Sequence, residues 1–492
     1  MKVLLVYPEF PDTFWSFKHA LKFIRKRASL PPLGLLTVAA MLPESWEKRL
    51  IDLNVRKLNA RDLGWADMVF VSAMVVQREA ARAVIARCKA AGVRVVAGGP
   101  LFLDEHDQFR DVDHFILNEA ELTLPPFIAD LERGFPQHIY STTRFADTTQ
   151  TPVPLWRLLD IKSYATMAVQ FSRGCPYDCE FCNVTVMLGH RPRLKTAVQI
   201  VSELDALYKI GWRGSVFFVD DNLIGNKRIL KESLLPALIK WRKGKVGMTF
   251  HTEASINLAD DERLMQMMSD AGFDMVFIGI ETPSEESLAE CGKKHNKNRD
   301  LIEDIKRIQR HGMQVQGGFI IGFDSDTPSI FQRQIDFIQK SGIVTAMVGL
   351  LQAPIGTRLY ARLAQESRLL GAFSGDNVDG MTNIIPKMPL QVLQKGYESV
   401  IRSLYKPANY YARVKTFLRE YRVPNITVPL DFQYILAFFR SIVRLGIISR
   451  DRIEYWKFVL WALFRRPRLF PQAITFTILG YHFRKVANSH VV

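Results

Sequence analysis

Three cysteines lie within one short stretch, residues 175–182 (CPYDCEFC), and their type and spacing make them the strongest candidates for chemistry in this chain. Only five cysteines occur among 492 residues, so Cys175, Cys179 and Cys182 form a marked cluster. Thiolates this close in sequence can converge on one iron–sulfur cluster or on one soft metal ion. A [4Fe–4S] cluster that is held by three protein thiolates leaves one iron open for a further ligand.

A structural zinc site is the alternative interpretation of these thiols. Zinc requires four ligands, and His190, which follows Cys182 closely in the sequence, could supply the fourth. A site with three cysteines and one histidine is usually built from two separated ligand pairs, whereas these cysteines share one loop. The loop also follows a predicted strand directly, so the pattern favours an iron–sulfur cluster over zinc.

The cysteine loop begins a segment in which predicted strands and helices alternate. Strands are predicted at Thr166–Phe171, Ser215–Val219, Met248–Ala254, Met275–Ile280, Gln314–Ile321 and Thr345–Gln352, and helices at Ala197–Ile210, Asp260–Ala271 and Arg299–Gln309. Repeated βα units predict a full or partial parallel barrel, whose chemistry lies at the carboxyl ends of its strands. Polar residues follow several of these strands: Asp220, Asp221, Glu253, Ser255 and Glu281. Asp221 and Asn222 could instead cap a helix.

The first 148 residues also alternate strands with helices. Strands are predicted at Lys2–Tyr7, Arg49–Leu53, Met68–Ser72, Val93–Ala97 and His114–Leu117, and helices at Leu33–Leu42 and Glu79–Ala91. This pattern predicts a doubly wound parallel sheet that binds its ligand beyond the carboxyl ends of the strands. The candidate ligand loops are Tyr7-Pro8, Ser72-Ala73-Met74, Gly98-Gly99-Pro100 and 118–121. Ordinary tight turns are the alternative interpretation of these loops.

The C-terminal region differs from the rest in charge and pattern. Pro386 and Pro389 interrupt the chain, and helices are predicted at Phe432–Leu445, Ile453–Phe464 and Ala473–Gly480. Residues 401–492 contain 16 Lys and Arg but four Asp and Glu, which gives about +12 of the net charge of +15. A basic, aromatic-rich region suggests an anionic partner, either a membrane or a nucleic acid.

The composition is that of an ordinary folded protein rather than a disordered one, with 48% hydrophobic and 23% charged residues. Five cysteines form no even disulfide framework, so we expect a reducing cytoplasm rather than secretion. The first residues predict a strand rather than a signal peptide, and no apolar run reaches the roughly 18 residues of a membrane span. The predicted organisation is an α/β domain (1–148), a linker (149–164), a barrel (165–370) and a mainly helical domain (371–492).

Together, the cysteine loop, its aromatic residue Phe181 and the predicted barrel resemble the radical S-adenosylmethionine (SAM) superfamily. The resemblance implies that Cys175, Cys179 and Cys182 hold a [4Fe–4S] cluster whose open iron binds SAM. It also implies SAM contacts from a set of strand-end residues: Phe181, Asp220, Asp221, Glu253, Ser255, Glu281 and Gly322. A one-electron reductant such as flavodoxin or ferredoxin would then allow SAM to be cleaved to a 5′-deoxyadenosyl radical.

The N-terminal α/β unit resembles the cobalamin-binding domain that precedes the barrel in one large subclass of this superfamily. The resemblance implies cobalamin contacts from the loops at the strand ends: Tyr7, Pro8, Ser72, Ala73, Met74, Gly98, Gly99, Pro100, Asn118 and Glu119. No Asp-x-His-x-x-Gly motif follows the first strand, so we expect cobalamin to bind without a histidine lower ligand. His106 is expected to be a solvated loop residue, and the remaining cysteines, Cys88 and Cys291, to lie in the core and on a loop.

The C-terminal region resembles the branch that includes the hopanoid C-2 methylase, on residues 383–389 (NIIPKMP) and 464–471 (FRRPRLFP). The resemblance implies a cobalamin-dependent radical SAM methyltransferase that methylates an unactivated carbon of a small-molecule or lipid-like substrate. In that chemistry a 5′-deoxyadenosyl radical activates the carbon and methylcobalamin donates the methyl group. A cyclase or rearrangement enzyme with the same cofactors, but without methyl transfer, is the alternative.

A basic nucleic-acid-binding protein with a structural metal is the alternative from another class. The apolar helical stripes of the tail instead favour a packed domain or a membrane-surface helix, and we expect no nucleic acid partner. In the membrane hypothesis, an anionic bilayer is contacted by Trp456, Phe458, Trp461, Phe464 and the cluster Arg465–Arg468. Simple helix packing is the alternative. The membrane hypothesis predicts a cytoplasmic protein that binds peripherally to the inner face of the membrane.

Overall fold

A computed structural model describes residues 1–423 and 432–490, which form two six-stranded parallel sheets and a helical C-terminal region. The first sheet has the order β2-β1-β3-β4-β5-β6. Its strands are β1 (Lys2–Tyr7), β2 (Glu47–Asp52), β3 (Met68–Ser72), β4 (Arg94–Gly98), β5 (His114–Ile116) and β6 (Ile139–Tyr140). Its helices are α1 (Lys18–Leu21), α2 (Leu33–Met41), α3 (Ala60–Trp65), α4 (Arg78–Ala90), α5 (Pro100–Glu105) and α6 (Ala120–Arg133).

Both faces of the first sheet are buried. Along β1, Leu4 and Val6 belong to one apolar cluster and Val3 and Leu5 to another, and all four side chains are fully buried. A continuous apolar strand of this kind is typical of a parallel sheet covered by helices on both sides. The doubly wound architecture predicted from the sequence is therefore confirmed.

The central sheet has the order β14-β13-β12-β11-β10-β7, with the short antiparallel pair β8-β9 beside it. The strands are β7 (Met167–Val169), β8 (Ser172–Arg173), β9 (Arg193–Leu194), β10 (Val216–Phe218), β11 (Phe250–Glu253), β12 (Phe273–Glu281), β13 (Gln314–Ile321) and β14 (Ala346–Leu350). The helices are α7 (Val184–Leu188), α8 (Ala197–Lys209), α9 (Lys227–Ile229), α10 (Leu235–Arg242), α11 (Glu262–Ala271), α12 (Glu285–Glu290), α13 (Leu301–Arg310), α14 (Ser329–Ser341) and α15 (Arg358–Gln365). In the described part of the chain β7 and β14 do not pair, so the barrel is partial.

Five α-helices complete the described chain: α16 (Leu390–Tyr405), α17 (Pro407–Glu420), α18 (Phe432–Ser441), α19 (Arg452–Arg465) and α20 (Phe470–His490). The segment predicted to be helical at Phe432–Leu445 is helical throughout, and α18 passes into a π-helical segment at Ile442–Ile448. Among the described helices, none combines the length and apolar character needed to cross a bilayer.

The aromatic residues predicted to rest on a membrane are mostly packed against the protein instead. Phe458 is fully buried and stacks on Tyr411 at 4.8 Å between ring centres, while Trp456 and Trp461 are partly buried. Only Phe464 of that set is exposed. The prediction was wrong for Phe458, because α19 carries apolar residues on both faces and the sequence could not indicate which face is buried.

A segment that follows β1 crosses to the barrel and the C-terminal helices. Phe14 stacks on Phe483 of α20 at 4.3 Å between ring centres, and its carbonyl oxygen lies 2.9 Å from Nε2 of His482. The next residue, Trp15, lies against Phe277 of β12, and its Nε1 donates to Sδ of Met347 of β14 at 3.0 Å. These contacts fix the first sheet, the barrel and the C-terminal helices against one another.

Candidate functional site

The cysteine loop is held at its stem by the β8-β9 pair. The backbone N–H of Cys175 donates to the carbonyl oxygen of Gly189 at 3.2 Å and closes the loop. Just before it, Gly174 has a φ of +94°, and a Cβ there would lie 2.8–2.9 Å from three carbonyl oxygens, those of Leu188, Gly189 and Arg191. Only glycine fits such a close approach, so the sequence itself fixes where the loop begins.

The three thiols are free and partly buried. Burial raises the pKa of each of them, that of Cys182 to about 12, so they stay protonated unless a cation stabilises the thiolate. Iron supplies such a cation, and this donor set fits a cluster in which each thiolate binds a different iron. Within residues 1–423 and 432–490, no three Cys, His, Asp or Glu side chains are arranged to hold one metal ion, and His190 is exposed. The zinc alternative therefore has no ligand set.

Asp220 joins the end of β10 to the start of the cysteine loop. Its fully buried carboxylate accepts hydrogen bonds from the backbone N–H of Phe171, at 3.0 Å, and from the backbone and hydroxyl of Ser172. Burial raises the pKa of Asp220 to about 7, although these three donors oppose the shift. The structure thus gives Asp220 a positioning role behind the loop.

Asp221 and Glu253 are two further acidic side chains that follow or end the neighbouring strands β10 and β11. Burial raises the pKa of Asp221 to about 6, and burial together with the Asp221 and Asp220 carboxyls raises the pKa of Glu253 to about 8. Among the described residues, no side chain donates a hydrogen bond to the Glu253 carboxylate. Two desolvated carboxyls without a protein cation of their own are suited to a cationic ligand.

A chain of hydrogen bonds connects the ends of β10 and β11 to the cysteine loop. Oδ1 of Asn222 accepts from the backbone N–H of Ser255 at 3.2 Å, and the Ser255 hydroxyl donates to Oδ1 of Asn257 at 2.6 Å. Nδ2 of Asn257 then donates to the Tyr177 hydroxyl at 2.9 Å, and the Tyr177 ring stacks on His295 at 3.8 Å. Asn222 caps no helix through its side chain, so the helix-cap alternative is wrong for this residue.

Lys293 forms a buried ion pair with Glu281 at the end of β12, and the sequence analysis missed it. Burial opposes the charge on Lys293, but Glu281 and the thiols of Cys179 and Cys291 outweigh burial and raise the pKa of Lys293. A Cβ on Gly279 would lie 2.6 Å from the Lys293 ammonium, so this glycine makes room for the pair. The only available signal was the lysine in Cys291-Gly-Lys-Lys, which could not be told from a solvated loop residue.

Phe181, within the loop, and Gly322, after the end of β13, both pack against apolar neighbours. The Phe181 ring lies 6.4 Å from that of Phe323, in a cluster that also contains Cys291. Gly322 has a φ of +109°, and its N–H donates to the Asp326 carboxylate at 2.9 Å. Cys291 is buried at the end of α12 rather than on an open loop, which corrects its assignment, whereas Cys88 is in the core as predicted.

The predicted ligand loops of the first sheet meet at the carboxyl edge of its strands. A Cβ on Gly98 would lie 2.7 Å from the carbonyl oxygen of Ile116, and one on Gly99, whose φ is +95°, would lie 2.6 Å from the Ser72 hydroxyl. Ala73 is buried between these loops and accepts a hydrogen bond from Leu101 N–H at 3.0 Å. Both glycines are therefore required by the close packing of neighbouring loops at this edge, which is where a parallel sheet binds its ligand.

The ends of β1 and β5 contribute differently to this edge. The Pro8 carbonyl oxygen accepts from Nε2 of Gln77 at 2.6 Å. Burial, aided by Asp52, raises the pKa of Tyr7. Asn118 adopts a φ of +62°, and its side-chain oxygen accepts from Thr142 N–H at 3.2 Å. Met74 is 45% exposed at the same edge, and Pro100 begins α5.

Glu119 and Glu121 connect this edge to the stem of the cysteine loop. Oε1 of Glu119 lies 3.0 Å from Nη1 of Arg173 and its Oε2 lies 2.8 Å from Nη1 of Arg193. Oε1 of Glu121 lies 2.7 Å from Nη2 of Arg173. Although burial opposes its ionisation, the Arg173 guanidinium lowers the pKa of Glu121 to about 2. Four charges, of which Glu119 is buried and the other three are partly buried, thus connect the two halves of the site.

A shallow open cleft lies between the first sheet and the cysteine-loop end of the barrel. Its lining comes from both sides: Val75, Pro100, Asp104, Glu105, Asn183, Met187, Pro354, Ile355 and Phe373. His106 is not part of this lining and is not solvated, which corrects the prediction. Its partly buried ring packs on Phe115, 5.6 Å between ring centres.

Family models match three parts of the chain. The model of the radical SAM superfamily matches residues 169–338, and that of the B12 binding domain matches residues 26–128. A third model, described as a domain of unknown function, matches residues 357–491. The first two matches coincide with the cysteine-loop barrel and the glycine-bearing sheet.

Two curated relatives span nearly the whole chain. An uncharacterized methyltransferase of Synechocystis is 39% identical and covers 98% of this chain and 91% of its own length. The hopanoid C-2 methylase of Rhodopseudomonas palustris is 34% identical and covers 94% of this chain and 90% of its own length.

Two solved structures share the whole fold at low identity. The radical SAM methyltransferase TsrM from Kitasatospora setae, with cobalamin and a [4Fe–4S] cluster bound, superposes with a TM-score of 0.62 at 14% identity and covers 99% of both chains. The cobalamin-dependent radical SAM enzyme OxsB with aqua-cobalamin gives a TM-score of 0.61 at 14% identity and covers 99% of this chain and 80% of its own. These matches concern the fold.

Proposed function

This chain belongs to the cobalamin-binding branch of the radical SAM superfamily, and we propose that it is a C-methyltransferase acting on an unactivated carbon of a lipid-like small molecule. Its cofactors are a [4Fe–4S] cluster, SAM and cobalamin. The observation that carries the proposal is that one cleft is lined both by Asn183, the residue after Cys182, and by Pro100, the residue after Gly99. Both the radical-forming and the methyl-carrying cofactors would therefore face one substrate.

When bound, the cluster and SAM supply a 5′-deoxyadenosyl radical, and cobalamin carries the methyl group that the substrate carbon receives. The residues of this chain bind and orient these groups. Cys175, Cys179 and Cys182 hold the cluster. Asp221 and Glu253 bind the cationic end of SAM, because they are desolvated carboxyls and neither forms an ion pair with a cation among the described residues.

Lys293 holds a positive charge beside Cys179 and so favours the thiolate that iron requires, while Glu281 keeps the ammonium in place. On the opposite side, the backbone at Gly98 and Gly99 lets cobalamin approach the sheet edge closely. The Glu119–Arg173 pair keeps that edge at a constant distance from the cysteine loop.

We further propose a lipid-like substrate, because the relative from R. palustris is a hopanoid C-2 methylase and is 34% identical. A one-electron reductant of the flavodoxin or ferredoxin type completes the partners. Contact with a membrane is part of the same proposal, since it would give access to such a substrate from the cytoplasmic side.

Turnover with deuterated-methyl SAM tests the proposal. The reconstituted protein is incubated anaerobically with a low-potential reductant and a lipid extract from cells that lack the gene for this chain. We expect a product that carries the labelled methyl group, together with 5′-deoxyadenosine. If 5′-deoxyadenosine accumulates and the product lacks the label, the enzyme is a cyclase or a rearrangement enzyme instead.

A further inference from the structure

The outer face of α18, the π-helical segment and α19 exposes an unusual number of large apolar side chains. Of the 26 such side chains exposed in the described residues, ten lie between residues 434 and 464. They are Tyr434, Ile435, Phe439, Val443, Ile447, Ile448, Ile453, Leu460, Leu463 and Phe464. We call this set the outer helical face. A concentration of exposed apolar residues on this scale marks an interaction site.

The positions of these residues follow the helices. Ile435, Phe439, Val443 and Ile447 recur every fourth residue along α18 and the π-helical segment, and they are 42–60% exposed. The opposite side of this segment is buried at Ala437, Ser441 and Leu445. The apolar stripe therefore faces away from the core along the whole segment.

The second helix repeats this arrangement. On α19, Ile453, Leu460 and Phe464 are 47–77% exposed, whereas Tyr455 and Val459 are buried. The two helices are fastened by their inner sides, because the hydroxyls of Ser441 and Tyr455 bond at 2.9 Å and Nε1 of Trp456 donates to the Gly446 carbonyl at 3.0 Å. Both helices also pack against α20, so their buried sides belong to one core and their exposed sides lie on the surface of the same domain.

Cations surround the apolar residues. Residues 432–468 contain eight Lys and Arg but two Asp and Glu. Six of the cations are exposed: Arg444, Arg450, Arg452, Lys457, Arg465 and Arg468. Both acids are already paired, Asp451 with Arg484 at 2.9 Å and Glu454 with Lys457 at 2.8 Å. The outer helical face is thus apolar and strongly basic at once.

We propose that the outer helical face docks on the surface of a bilayer that contains anionic lipids. The aliphatic side chains match the boundary between headgroups and acyl chains, and the cations match the headgroup charge. A second copy of the chain fits poorly, because a two-fold contact would place the same cations against one another. A nucleic acid fits poorly as well, since Ile447, Ile453 and Phe464 would face phosphate groups.

Docking would give the chain access to a lipid-like substrate, and this benefit rests on the proposed function. The docking itself requires only the helices and their charges. The two claims can therefore fail separately: vesicle binding does not depend on turnover, and radical formation in detergent does not depend on vesicles.

Vesicle flotation of the cofactor-loaded protein tests the docking surface. Vesicles of phosphatidylcholine with phosphatidylglycerol are compared with vesicles of phosphatidylcholine alone. The apolar variant is Phe439→Ser/Ile447→Ser/Phe464→Ser, and the charge variant is Arg452→Gln/Arg465→Gln. The matched control is Phe135→Ser/Val198→Ser, which removes apolar side chains that are 84% and 75% exposed elsewhere on the molecule.

We expect the wild-type chain and the control to float with the anionic vesicles and to lose binding at high salt. The charge variant should bind about 30-fold more weakly, since each cation near an anionic surface contributes about 1 kcal/mol. The apolar variant should remain in the soluble fraction with unchanged iron content. Equal binding to both vesicle types, or binding that both variants retain, would overturn the proposal. A wild-type dimer that becomes monomeric in the apolar variant would assign the face to self-association instead.

Discussion

Glu119 and Arg173 form a buried ion pair, with Oε1 3.0 Å from Nη1, that joins the edge of the first sheet to the stem of the cysteine loop. Arg173 lies two residues before Cys175, and Glu119 lies one residue after Asn118 at the end of β5. The pair therefore sets the distance between the two cofactor-binding sides of the cleft. This relationship makes the geometry of the site depend on a long-range contact.

Replacing Glu119 by glutamine should loosen this connection. Arg173 keeps Glu121, but Arg193 loses its only carboxylate partner among the described residues, so we expect a loss of about 3 kcal/mol in the free energy of unfolding. Chemical denaturation measures this loss. Glu132→Gln on α6, an exposed acid of the same region, is the control and should leave stability unchanged. If Glu119→Gln were as stable as wild type, Glu119 would not connect the sheet edge to the cysteine loop.

Lys293→Met should leave Glu281 as a buried charge without its partner. We expect the cluster to assemble poorly and the free energy of unfolding to fall by about 3 kcal/mol, because one member of a buried pair is removed. The double variant Lys293→Met/Glu281→Gln should regain much of this stability. Denaturation and labile-sulfide content after reconstitution report both effects. Additive losses in the double variant would argue against the pair.

The three loop cysteines should be required for iron and the other two should not. We expect Cys175→Ala, Cys179→Ala and Cys182→Ala to lose iron and labile sulfide together, since three thiolates hold the cluster. Cys291→Ala is the matched control, because Cys291 is buried beside the same loop but donates its Sγ–H to the Leu288 carbonyl. Loss of iron in the control as well would extend the ligand set beyond the loop.

Glu253 should make the stability of the cofactor-free chain depend on pH. Its pKa is raised to about 8, so between its ordinary value near 4.5 and pH 8 the folded state binds more protons than the unfolded state. Stability therefore decreases as the pH rises through this window. At pH 8 the free energy of unfolding of Glu253→Gln should exceed that of wild type by about 2–4 kcal/mol. At pH 5 the difference between the two proteins should be smaller. Chemical denaturation at the two pH values measures this difference in stability. An equal difference between variant and wild type at both pH values would contradict the prediction.

SAM should reverse this effect. If Glu253 binds the cationic end of SAM, ligand binding favours the carboxylate, and SAM should stabilise wild type more strongly at pH 8 than at pH 6. The Glu253→Gln variant should lack the difference. Calorimetric titration of the cluster-loaded protein with SAM provides the measurement, and equal affinities at both pH values would assign the SAM contact elsewhere.

The strands and the cysteine loop could be predicted because they depend on local signals. β1 and β3 are short apolar runs, and Gly98 and Gly174 stand where a Cβ would collide with a carbonyl oxygen. The Glu119–Arg173 pair could not be predicted, since its partners are 54 positions apart and belong to different sheets. Lys293 was missed for the same reason: its partner Glu281 is on β12, across the α12 helix.

The C-terminal helices show where periodicity stops being informative. α19 is apolar on both faces, so the sequence did not distinguish the buried Phe458 from the exposed Phe464. The exposed apolar stripe on α18 and the π-helical segment could not be predicted. Ile447 and Leu445 are both apolar, and only the direction of their side chains makes one exposed and the other buried. Only the packing against α17 and α20 decides which of them faces outward.

The most direct test of the account is the ratio of the two products that SAM leaves behind. Anaerobic turnover with substrate-containing extract is followed by measuring S-adenosylhomocysteine and 5′-deoxyadenosine. We predict one of each per methylated product, because one SAM supplies the methyl group and a second supplies the radical. Formation of 5′-deoxyadenosine with product but without S-adenosylhomocysteine would contradict methyl transfer as the function of this chain.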